Sequence, residues 1–193
     1  MMPRHVLVPI ANGCEEIEVT TITSVLKRAG AEVTLASCQP DASLEIYGQY
    51  GMSFKADCPV ESCLDTVYQL IVLPGGKPSA TCLRDTKHLT HLLLNQKSAG
   101  CWYAASGNAP AIVLSHHGLL DNTRATCHPE FIDKLEGAMI EPAQLVVVDQ
   151  NKHVVTAQGA GCVMAFSFRL VEVLLGQDSY RPIATELVAD WAL

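Results

Sequence analysis

Glu18 is the first side chain in the sequence whose placement suggests chemistry. Glu18, Ile22, Val25 and Ala29 follow the spacing i, i+4, i+7, i+11, so they share one face of a helix, with Leu26 at its border. A carboxylate heading an apolar stripe either ends the core half-solvated or is buried with a raised pKa that suits it to share a proton. Glu15 falls in the first turn of that helix, where the positive end of the dipole and solvent account for it, and Glu16 points elsewhere.

Three further segments could carry chemistry. Leu73-Pro74-Gly75-Gly76 is a tight turn after an apolar run; a glycine pair lets backbone approach a ligand and turns N–H groups outward, where they can stabilise an oxyanion. Tyr103 to Pro110 joins a strand to a helix, the place where an α/β enzyme exposes a nucleophile on a strained turn. Ser106 sits near the right point, although the spacing G-x-S-x-G is absent. Ala125-Thr126-Cys127-His128-Pro129 sets a thiol beside an imidazole, but neighbours in an extended segment point to opposite sides, which argues against a working pair.

The elements that must position these residues alternate. His5 to Ile10 and Glu32 to Ser37 read as strands around a helix from Glu15 to Ala29, with Lys27 and Arg28 in its last turn and Gly30 past its end. Ile46 to Ser53 suggests a hairpin at a sheet edge, and Leu70 to Leu73 a short buried strand. Asp85 is placed to cap a helix reaching Lys97, followed by a strand from Gly100 to Ala105 and a helix from Ala109 to His116. Leu145 to Asp149 and His153 to Thr156 read as a second hairpin, Cys162 to Leu175 as an apolar helix, and Pro182 to Trp191 as a last one. Such alternation predicts one α/β domain over residues 1–193: a mostly parallel sheet with helices on both faces, its ligands bound beyond the carboxyl ends of the strands. Breaks at Gly13, Gly75-Gly76, Gly107 and Gly159 to Gly161 should converge on that rim.

Composition narrows the function classes. A net charge of −7 with no basic cluster beyond Lys27-Arg28 argues against nucleic acid as a partner. The apolar runs are shorter than the ~20 residues of a membrane span, and Met1 to Ile10 lacks the long apolar segment of a secretory signal, so a cytoplasmic location is expected. Eight cysteines could suggest a disulfide framework, but a 193-residue chain that is 49% hydrophobic can build a core without staples. No pair shows C-x2-C spacing, so no structural metal is expected.

Taken together, these segments resemble the ThiJ/PfpI superfamily, in the branch described as glyoxalase III or protein deglycase. The resemblance is carried by Gly13-Cys14-Glu15-Glu16-Ile17-Glu18, Lys27-Arg28-Ala29-Gly30, Leu73-Pro74-Gly75-Gly76, Ala104-Ala105, Ala109-Pro110-Ala111, His128-Pro129 and Thr156 to Gly161. It implies a flavodoxin-like (class I glutamine amidotransferase-like) fold, a homodimer, and cofactor-independent action on methylglyoxal-type 2-oxoaldehydes. It also implies a site in which an elbow cysteine is hydrogen-bonded by a protonated glutamate near a histidine. Glu18 and His128 match the glutamate and histidine, and Gly75 and Gly76 match the oxyanion donors. The elbow departs from the pattern Ala-Ala-Ile-Cys-Ala-(Ala or Gly)-Pro: here it reads Ala104-Ala105-Ser106-Gly107-Asn108-Ala109-Pro110, with Gly107 at the nucleophile position. Glycine tolerates a strained backbone but offers no nucleophile, so covalent chemistry through residue 107 is excluded and activity should be lost or severely reduced. Ser106, Cys14, Cys127 and Cys162 are the candidate surrogates. The alternative is a non-catalytic, redox-responsive or chaperone-like homodimer; a peptidase reading needs the same missing cysteine.

Overall fold

The computed structural model describes residues 4–192. A seven-stranded sheet forms its centre, built from β1 (His5–Ile10), β2 (Glu32–Ser37), β5 (Cys58–Pro59), β6 (Leu70–Leu73), β7 (Trp102–Ala105), β10 (Val146–Asp149) and β11 (Val154–Ala157). The spatial order is β10-β11-β7-β6-β1-β2-β5; every pairing is parallel except β10 with β11. This is the α/β arrangement expected from the alternating pattern, and the flavodoxin-like fold that the resemblance implies.

Strand alternation divides the apolar residues between two cores. Val6, Val8, Ile10 and Val72 face α1 (Glu16–Arg28) and α4 (Val163–Leu175), where Ile22, Val25, Phe166 and Leu170 meet them. Leu7, Ile71, Leu73 and Tyr103 face the opposite layer of α2 (Lys77–Asp85), α3 (Lys87–Ser98) and a widened helical segment Pro110–Ser115. Each fully buried aliphatic side chain in these layers stabilises the fold by roughly 1.5–3 kcal/mol relative to an exposed one.

Several elements differ from the sequence expectation. The helix expected to start at Asp85 is two: α2 ends at Asp85 and α3 starts after Thr86. Thr86 takes extended backbone there, and its hydroxyl donates to Cys82 O at 2.7 Å. Helix α2, with Lys77-Pro78 at its start and a polar outer face, lacks the dense apolar stripe that would announce it. The expected hairpin at residues 46–53 exists as β3 (Glu45–Tyr47) and β4 (Ser53–Lys55), but as a separate ribbon rather than a sheet edge; the edge is β5. Glu15 stands outside α1 as its cap, accepting from Ile17 N, and the final helix, α5 (Arg181–Glu186), is shorter than expected. Two further short strands, β8 (Arg124–Ala125) and β9 (Met139–Ile140), pair away from the sheet. No helix among the described residues is long and apolar enough to cross a membrane.

Candidate functional site

Parallel pairing puts the ends of β1, β6, β7 and β11 on one rim, so the turns that follow them are neighbours. They are stitched to one another by backbone hydrogen bonds. Ser106 N donates to Leu73 O (3.0 Å), Gly107 N to Ala157 O (3.1 Å), His128 N to Gly107 O (2.8 Å), and Glu15 N to Gly75 O (3.0 Å). Residue 107 is thereby held between three strand ends with φ of +63°, a conformation that suits glycine. The turns at 13–15 and 75–76 are in close contact: a β-carbon on Gly76 would stand 2.2 Å from Gly13 O, so close backbone packing alone requires that glycine.

The rim borders a cleft of about 820 Å³, lined among others by Glu18, Gly76, Gly107, Asn108, His128 and Cys162. Glu18, Gly107 and His128 meet at one point. A β-carbon built on Gly159 would lie 3.8 Å from Glu18 Oε1, 3.8 Å from His128 Cδ2 and 3.9 Å from Gly107 Cα. A β-carbon on Gly107 would lie 3.1 Å from Glu18 Oε1.

Glu18 is 2% exposed, which decides between the two readings of its position: the carboxylate is buried, not half-solvated. Burial raises its pKa from an ordinary 4.5 to about 7, against the opposing effect of a 2.6 Å hydrogen bond from Gly75 N to Oε2. The Ser106 hydroxyl is close enough to ease the carboxylate's charge but makes no hydrogen bond of good geometry. A carboxyl group near half-protonation at neutral pH can both take and return a proton.

The Gly75 amide is therefore committed to Glu18, and of the two expected oxyanion donors it is Gly76, at the start of α2, that lines the cleft. The His128 ring is exposed to the cleft. Its Nδ1 accepts from Glu130 N at 3.3 Å, which leaves the proton of the neutral ring on Nε2.

The surrogate nucleophiles fare differently. Ser106 is 0% exposed and precedes the turn rather than occupying it, so it presents no hydroxyl to the cleft. Cys14 is sealed under the bridge to Gly48, and Cys127 lies in the core layer opposite His128; burial pushes both thiols up to about 12. Cys162 does line the cleft, but its Sγ donates to Gly159 O (3.2 Å) and Leu145 O (3.4 Å), and burial raises its pKa as well. All eight cysteines are free. Among the described residues no group of three or more His, Cys, Asp or Glu is placed to hold a metal.

Two residues were missed by the sequence reading. Asn108 is 7% exposed, lines the cleft beside Gly107, and has an Oδ1 without a hydrogen-bond partner. Its position after the elbow glycine was the available signal. Glu16, which points away from the Glu18 face, is buried: its Oε1 accepts from Tyr50 N (2.5 Å) and Met52 N (3.5 Å), which lowers its pKa against the cost of burial and fixes the loop carrying Tyr50 over the cleft. Nothing in the sequence spacing links residue 16 to residue 50.

Comparison with known proteins gives consistent findings. Residues 4–173 match the family described as DJ-1/PfpI. The chain is 35% identical over 185 residues to Protein DJ-1 homolog B of Arabidopsis thaliana, covering 96% of this chain but 41% of that protein, so it spans less than half that relative's length. It is 26% identical to the glutathione-independent glyoxalase DJ-1 of Schizosaccharomyces pombe, covering 92% of this chain and 95% of that one. Among solved structures, Toxoplasma gondii DJ-1 in an oxidized form superposes with a TM-score of 0.91 at 35% identity, covering 97% of this chain and 99% of that chain.

Proposed function

The chain belongs to the DJ-1/PfpI family, and from that premise we propose that it is a glyoxalase III or deglycase type protein whose covalent step is disabled. It binds methylglyoxal-type 2-oxoaldehydes at the rim of the sheet, needs no cofactor, and turns them over far more slowly than a cysteine-bearing relative. The observation that carries this reading is the geometry at Gly107: a left-handed elbow glycine whose absent side chain would have faced Glu18 Oε1 at 3.1 Å. Glu18, with a pKa of about 7, supplies the acid–base half of the chemistry and His128 a second polar group, while the nucleophile is missing.

The test is lactate formation from methylglyoxal by the protein and by Gly107→Cys. A gain of at least ~10²-fold on restoring the thiol is expected from the usual size of such catalytic contributions. No gain in a folded Gly107→Cys protein refutes the reading.

Pairing into a homodimer, which the catalytic and the non-catalytic readings share, is supported by a patch at the start of α1 and on the β3–β4 ribbon. Ile17, Tyr47, Tyr50 and Met52 are each exposed by half or more there. Sedimentation analysis of Ile17→Glu against the unmodified protein tests it, with dissociation expected in the variant. Eight free thiols suit a reducing compartment, which supports action in the cytoplasm.

A further inference from the structure

We propose that the site works on 2-oxoaldehydes without any thiol, by binding the hydrated aldehyde (the gem-diol) over Gly107 and using Glu18 to move a proton from C1 to C2. This rests on the reading that small 2-oxoaldehydes are the ligands, and it adds a reaction that the cysteine-less elbow can still perform.

Four observations point there. First, with no side chain on residue 107 a ligand atom can rest against its Cα, in a space whose wall is Glu18 Oε1. Second, Gly75 N holds Oε2 at 2.6 Å, so it is Oε1 that faces the ligand, in one fixed orientation. Third, Asn108 Oδ1, beside Gly107 on the cleft wall, is buried without a partner. Asn108 Oδ1 lies 3.4 Å from the β-carbon position of Gly75, which is also 3.2 Å from Glu18 Oε2. Buried acceptors left unpaired are costly, and hydroxyl groups satisfy them where sulfur, a weak hydrogen-bonding atom, does not. A gem-diol brings two hydroxyls. Fourth, the capping bond to Nδ1 leaves His128 an Nε2–H to donate.

The steps balance. Water adds to R–CO–CHO to give R–CO–CH(OH)2, an equilibrium that needs no enzyme. The Glu18 carboxylate takes the C1 proton; the C1–H electron pair becomes the C1=C2 bond, and the carbonyl pair moves to the C2 oxygen, which is protonated from His128 Nε2. The resulting ene-triol takes the proton back from Glu18 at C2. One C1 hydroxyl then loses its proton to reprotonate His128 as the carboxyl group forms, giving R–CH(OH)–COOH, which ionises in solution. C1 is oxidised and C2 reduced within one molecule, so no external oxidant or reductant is required.

Phenylglyoxal, which has no enolisable methyl group, is the probe. The protein is incubated with it, and mandelate is followed by NMR beside Glu18→Gln, Gly107→Ala and Gly107→Cys, each checked for folding by circular dichroism. Slow turnover above the Glu18→Gln rate is expected, with a loss of at least ~10-fold in Gly107→Ala, whose methyl fills the diol's place. Turnover no faster than Glu18→Gln, or an undiminished rate in Gly107→Ala, would each overturn the proposal. Failure of Gly107→Cys to gain activity would instead remove the 2-oxoaldehyde reading on which it rests.

Discussion

Replacing Gly107 tests the elbow through stability as well as activity. Residue 107 has φ of +63°, and an L-residue held in that region loses roughly 1–2 kcal/mol relative to glycine. The added β-carbon would also sit 3.1 Å from Glu18 Oε1 and 3.5 Å from Gly75 Cα, so the carboxylate must shift by a few tenths of an ångström. Glu18 is pinned by Gly75 N, which makes that shift harder and brings the total to about 2–3 kcal/mol. At roughly 2–4 °C per kcal/mol for a chain of this size, Gly107→Ala should melt about 4–12 °C lower. Gly30→Ala is the control: it shares a positive φ of +82° but nothing lies within 4 Å of its β-carbon position, so it reports backbone strain alone. Calorimetry should place Gly107→Ala below Gly30→Ala. Equal melting temperatures would mean that Glu18 does not crowd residue 107, and an unchanged Gly107→Ala would refute the strained elbow altogether.

Other outcomes follow from the same geometry. Because the Glu18 pKa is about 7 in the folded protein and about 4.5 when exposed, the folded state holds a proton the unfolded chain releases between those values. Stability therefore falls as pH rises through that window, by on the order of 3 kcal/mol, and Glu18→Gln should flatten the decline in urea titrations from pH 4 to 8. Native-state alkylation followed by mass spectrometry should label Cys101 early and leave the sealed Cys14 and Cys127 unmodified until unfolding. Glu16→Ala removes the acceptor for Tyr50 N and Met52 N; a loss of about 1.5–3 kcal/mol and faster amide exchange at residues 48–52 are expected. Gly48→Ala should show the same exchange signature, since its β-carbon would stand 2.4 Å from Glu16 Oε1.

Much of the fold was legible because periodicity is a local signal. Runs such as Val6 to Ile10 and Leu70 to Leu73 are apolar throughout, as strands buried on both faces must be, and the stripe through Ile22, Val25 and Leu26 marks α1. The polar helix α2 and the break at Thr86 were not legible, since their place depends on packing against distant elements rather than on pattern. At the site, the residue types were readable: an acid heading an apolar face, two glycine turns, and an elbow with glycine where the family carries cysteine.

What the sequence determined by itself was this inventory and its order along the chain, because side-chain type and spacing are properties of the chain alone. Tertiary structure decided which groups meet and in what state. The pKa of Glu18 comes from burial that only the assembled rim creates, the loss of Gly75 as a free donor comes from a bond spanning 57 positions, and the sealing of Cys14 and Cys127 comes from layers folded over them. Solvent exclusion and long-range hydrogen bonding depend on where distant segments lie, and no local stretch of sequence carries that information.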